Sequence, residues 1–151
     1  MAFEHEFYTG PLALDGQVVS ITPTDDICRK NEDWQLTLKW SVWGEALDEN
    51  SAVGLRDGDW IAHAHLESIG KAADEFDLGP IRVAKDIFDP PTTPDPANKP
   101  NERVYTAVFD VPASSLDVGM YRIASTITYE LDPADPANPH LPARMAGFIE
   151  G

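Results

Sequence analysis

His63, His65 and Glu67 stand at every second position of one short segment, His63-Ala-His65-Leu-Glu67. In an extended strand alternate side chains share a face. Two imidazoles and a carboxylate would then project together, a donor set suited to a dication such as zinc or nickel. A third or fourth ligand would have to come from a neighbouring strand, and the sequence nominates none. The competing reading is a solvated or subunit-contacting outer face, the commoner fate of polar residues that alternate with apolar ones.

Other groups are weaker candidates. Asp132, Asp135 and Asn138, or Asp86 and Asp89, offer oxygen ligands of the kind calcium takes. Neither set follows the spacing of an EF-hand loop, and Asp before Pro is common as a turn starter. Cys28 is the one cysteine, set between Asp25-Asp26 and Arg29-Lys30 with no positioned base, so no intrachain disulfide forms and an incidental thiol is expected. No G-x-S-x-G elbow and no glycine-rich phosphate cradle occurs. Carboxylate pairs can be drawn from any sequence this acidic, so they carry no signal. The expectation is a protein that is not an enzyme and holds no cofactor.

The elements that must position these groups are strands. Trp34, Leu36, Leu38, Trp40 and Val42 alternate with Gln35, Thr37, Lys39 and Ser41, the pattern of a strand with one buried face. Trp60, Ala62, Ala64 and Leu66 alternate in the same way with His63, His65 and Glu67. Tyr105, Ala107, Phe109 and Val111 form a third apolar row; Tyr121, Ile123, Ile127 and Tyr129 form a fourth, interrupted by Ser125. With shorter candidates this gives seven strands, at 17–22, 33–43, 58–69, 81–85, 103–111, 120–131 and 144–150. Helical periodicity is almost absent. Glu67–Phe76 tempts a helix, but Gly70 limits it to a single turn. Seven short strands separated by turn signals read as an antiparallel β-sandwich.

Most of the 13 prolines cluster in two stretches, 86–102 and 132–143. Proline cannot donate to a ladder, so both read as long, extended loops. Each contains Asp-Pro-Ala-Asn, at 95–98 and 135–138. The pieces on either side look too β-incomplete to fold alone, so residues 1–151 read as one domain, with 1–16 as an N-terminal arm.

Two stretches resemble the immunoglobulin and fibronectin type III superfamily. Gln35-Leu-Thr-Leu-Lys-Trp40 is similar to the second strand of fibronectin type III domains, where alternation ends in a core tryptophan. Asp117-Val-Gly-Met-Tyr121-Arg-Ile123 resembles the turn into the sixth strand, with Tyr121 at the tyrosine-corner position. The likeness covers about a tenth of the chain and bears on architecture alone. Ile123 stands where antibody domains have their second disulfide cysteine, and the two Pro-rich loops are longer than in compact fibronectin modules. The resemblance implies an immunoglobulin-like sandwich in which 44–57, 86–102 and 132–143 converge at one pole.

Composition bounds the partners. With 26 acidic against 11 basic residues the formal charge is −15, which repels phosphate backbones and anionic lipid. Nucleic-acid binding and membrane insertion are not expected. The N-terminus lacks the basic and apolar regions of a signal peptide. The cytoplasm is therefore the default location, with leaderless export or release left open. Phe3, Phe7, Tyr8, Trp43 and Phe148 fall outside the inward rows and are candidates for contact with another subunit. The leading expectation is a non-catalytic structural or interaction domain that packs on copies of itself or on a protein partner. The alternative is a carbohydrate- or calcium-binding module.

Overall fold

A computed structural model of the chain describes residues 3–4, 13–22, 31–48, 57–69, 75–114, 120–131 and 144–150. In chain order the strands are β1 (Phe3–Glu4), β2 (Ala13–Thr22), β3 (Trp34–Trp43), β4 (Gly58–Ile69), β5 (Glu75–Ala84), β6 (Arg103–Val111), β7 (Met120–Leu131) and β8 (Arg144–Glu150). They form two sheets, β1-β8-β7-β4-β5 and β2-β3-β6, with every pairing antiparallel. Among the described residues the only helical element is a 3-10 turn at Glu45–Leu47. No described helix is long and apolar enough to cross a membrane.

The inward rows of the two sheets close on one core. Trp40 on β3 stacks on Tyr105 of β6, with ring centroids 5.7 Å apart. Trp60 on β4 meets Trp40 edge-on at 6.5 Å and lies 4.7 Å from Tyr129 of β7. These rings run from one sheet to the other, and each such pair is worth about 0.5–1.5 kcal/mol beyond the area it buries. Tyr105 is fully buried and donates its hydroxyl to the Lys85 carbonyl at 2.6 Å. Ser125, which interrupts the fourth row, does point inward: its hydroxyl is buried with no hydrogen-bond partner among the described residues. Tyr121 packs half-buried against the core.

Two strands differ from their expected bounds. The first expected strand, 17–22, starts earlier, at Ala13. The strand expected at 81–85 begins six residues sooner, at Glu75, and passes through Gly79-Pro80. Proline ends regular pairing but need not end a strand at a bulge. Ala62 pairs with Ile81 and Ala64 with Leu78, so Gly79 and Pro80 together oppose His63 alone. The stretch that tempted a helix is therefore the end of β4 and the start of β5, with 70–74 outside the described residues.

Gly79 makes that bulge achievable. Its φ is +98°, and a Cβ there would lie 2.8 Å from the Ala62 carbonyl oxygen and 3.2 Å from the Phe109 ring. Neither the left-handed backbone nor the close approach suits another residue.

The described parts of 44–57 and 86–102 meet at one pole. The Gly44 amide donates to the Pro100 carbonyl at 2.9 Å, and the Arg103 guanidinium reaches the carbonyls of Lys85 and Leu47 at 3.2 and 3.4 Å. Arg103 also lies 4.5 Å over the Phe88 ring. Residues 132–143, expected at the same pole, lie outside the described residues.

Gly79→Ala is expected to destabilise the fold by about 1–3 kcal/mol, the cost of a side chain in a strained backbone region. Urea unfolding followed by tryptophan fluorescence measures it. An unchanged midpoint would show that the bulge does not require glycine.

Candidate functional site

The outer face of the five-stranded sheet carries the chemistry-bearing side chains. Trp60, Ala62, Ala64 and Leu66 are buried beneath it, so His63, His65 and Glu67 project outward, as their spacing demands. The three do not form one site. Ligand atoms of His65, Glu67 and Glu75 lie within 4.8 Å of one another, and His63 is not in that group.

The reason is geometric. Same-face residues on one strand start about 6.6 Å apart and residues directly across a ladder about 4.5–5.5 Å apart at Cβ, so a group gathers where a neighbouring strand adds carboxylates to the strand's own. The ladder sets His65 opposite Asp77 and Glu67 opposite Glu75. His63 instead faces the bulge on β5 and Thr126 on β7.

Electrostatics follow from this register. Asp77 is hydrogen-bonded to His65 Nδ1. That bond holds the imidazole above its ordinary value of 6.5; burial opposes it, and the charges of Asp77, Glu75 and Glu67 add to it. A pKa raised by folding contributes stability that is complete below the unfolded value and is lost as pH rises through the folded one. The window therefore opens near 6.5 and extends upward. With the ring one-third exposed and Asp77 86% exposed, the contribution is small. Glu67 also pairs with Arg122 of β7 at 3.1 Å. Further along the same face Arg82 joins Asp59 at 3.5 Å and Glu130 at 3.3 Å.

The outer face of the three-stranded sheet is different. Gln35, Thr37, Lys39, Ser41 and Trp43 of β3 lie there beside Asp110, Val108, Thr106 and Val104 of β6. Only Lys39 and Asp110 of these are charged, and Asp110 accepts a hydrogen bond from Gln35 at 2.8 Å. Trp43 sits at one end of the face with the Lys99 ammonium 4.7 Å over its ring. One face of that ring is therefore covered by a cation.

The other candidate residues fall elsewhere. Phe3 pairs with Ile149, and Phe148 with Glu4 and Thr126, so the arm segment β1 joins the sheet of its own chain. Phe7, Tyr8, Cys28, Asp132, Asp135 and Asn138 lie outside the described residues. Asp89 is tied by its backbone to Val104 in a two-bond bridge. Asp95 starts a turn, accepting from the Lys99 amide at 2.7 Å and from the Asn98 side chain at 3.0 Å, which accounts for Asp-Pro-Ala-Asn as turn chemistry. Glu75 and Asp77 were not anticipated from the sequence, although Glu75-Phe76-Asp77-Leu78 carries a period-two signal, with Phe76 packed on the core and Leu78 buried in it.

No protein-family model, no curated protein and no solved structure matches this chain.

In metal-free protein, the His65 ring is expected to titrate with a midpoint above 6.5. Asp77→Asn should bring it down toward that value, because the largest cause is the hydrogen bond to Asp77. Imidazole proton shifts in NMR follow both; an unmoved midpoint in the variant would separate His65 from Asp77.

Proposed function

We propose that this chain is a non-catalytic, immunoglobulin-like β-sandwich that works by packing against a protein surface, in the first place a second copy of itself. The fold reading is supported by the strand orders β2-β3-β6 and β8-β7-β4-β5. These place the first, second and fifth long strands on one sheet and the third, sixth and seventh on the other, the division immunoglobulin-like sandwiches use. β5 lies beside β4, the place of the added strand in variable-type domains rather than that of the fourth strand in constant-type ones. Trp40 in the core and Tyr121 against its edge are in keeping with the fibronectin type III resemblance.

The observation that carries the functional reading is the contrast between the two outer faces. In a chain of net charge −15, two copies repel unless they meet where charge is sparse. On β3 and β6 that face carries two charged residues, Lys39 and Asp110, and Val108, 42% exposed, lies opposite Thr37 between Thr106 and Asp110. Interface centres are depleted of charged residues, and a two-fold contact sets a patch against its own copy. Two of the sheet edges, β5 and β6, are less suited to strand addition. The β6 edge is partly covered by the Asp89–Val104 bridge, and β5 carries the Gly79-Pro80 bulge with Glu75, Asp77 and Arg82. Such features discourage edge pairing.

Sedimentation equilibrium of the full chain tests the proposal. A dimer or larger assembly is expected, shifting to monomer in Val108→Glu with an unchanged far-ultraviolet spectrum. A strict monomer at high protein concentration, or an assembly indifferent to Val108→Glu, contradicts it.

A further inference from the structure

We propose that His65, Glu67 and Glu75 form a binding site for one divalent transition metal of the zinc type, with Asp77 as the positioning residue for the imidazole. The site bridges β4 and β5 on the face opposite the β3–β6 surface, and it stands independently of any self-association.

The donor set is the first ground. One nitrogen and two carboxylate oxygens already lie within 4.8 Å of one another. A small rotation of exposed side chains closes that spacing around an ion about 2.0–2.2 Å from each donor. Three protein ligands leave room for solvent to complete the shell, and an imidazole among carboxylates favours zinc-type ions over calcium or magnesium.

The second ground is the unfavourable pairing that the register imposes. Glu67 and Glu75 are direct cross-strand partners, and like charges in that position destabilise a sheet. Arg122 offsets this at Glu67, at 3.1 Å. With Asp77 also present, carboxylates outnumber cations among the described residues of the patch. A dication bound between the two strands relieves that repulsion.

The third ground is how the ring is held. A carboxylate on one ring nitrogen fixes tautomer and orientation and raises the basicity of the other, the arrangement that metal-binding histidines commonly have. Asp77 is hydrogen-bonded to Nδ1, so in the neutral ring Nε2 carries the free lone pair. β5 is the outermost strand of its sheet, and the cluster is reached directly from solvent.

Calorimetric titration of the chelator-washed full chain with zinc chloride tests the site. One saturable event per chain is expected, weakened at least tenfold by His65→Ala and by Glu75→Gln, and about tenfold by Asp77→Asn. His63→Ala should bind as the parent does. Calcium chloride should compete only in large excess. Should a variant fold poorly, zinc-induced amide shifts in the parent protein locate the site instead, and they should centre on 65–67 and 75–77. Saturable binding untouched by His65→Ala and Glu75→Gln would overturn the proposal. So would shifts centred elsewhere, preference for calcium, or no saturable binding.

Discussion

Trp40 and Trp60 occupy inner strands of facing sheets, and both are about 1% exposed. The rest of the structure depends on burying both at once. Side chains alternate across a strand, so fixing one large ring inward fixes the side of every regular neighbour. On β3 this sends Leu36, Leu38 and Val42 inward; on β4 it sends Ala62, Ala64 and Leu66 inward. A slip of one residue would expose a whole apolar row. Tyr105 and Tyr129 extend the constraint to β6 and β7 through their ring contacts with the tryptophans.

What remains outside is sorted by the same parity into two unlike surfaces. One face carries cross-strand ion pairs, in which Arg82, Arg122 and His65 each meet carboxylates on other strands of the sheet. Exposed pairs of this kind add about 0–1 kcal/mol each. Their main effect is to keep that face charged and wet. The other face, on β3 and β6, carries threonine, serine and valine with only Lys39 and Asp110 charged, bounded by Trp43 under Lys99. The proposed metal site and the proposed packing surface thus fall on opposite sides of one core.

Much of this arrangement was legible in the sequence. The rows starting at Trp34, Trp60 and Tyr105 announce both the strands and the side each presents, because a period of two leaves little freedom once a tryptophan is buried. The donor cluster was half legible. His65 and Glu67 could be read along their own strand, but Glu75 and Asp77 join them only through the β4–β5 ladder. A strand expected only from Ile81, after Gly79-Pro80, hid the residues before it. A bulge at Gly79 lets the strand continue, and the alternation from Glu75 to Leu78 was the signal for it. The cover of Trp43 by Lys99 was not legible, since it depends on the path of a Pro-rich loop whose contacts are backbone hydrogen bonds and a single ammonium.

The charged face owes its chemistry to the register between β4 and β5, which makes His65 face Asp77 and Glu67 face Glu75. Cross-strand proton contacts in a nuclear Overhauser spectrum measure it directly. Contacts are predicted between the backbones of Leu66 and Phe76, Ala64 and Leu78, and Ala62 and Ile81, with the ladder skipping a residue at Gly79-Pro80. A ladder that pairs His65 with Phe76 or Leu78 would turn the carboxylates of β5 away from the histidine and contradict this arrangement.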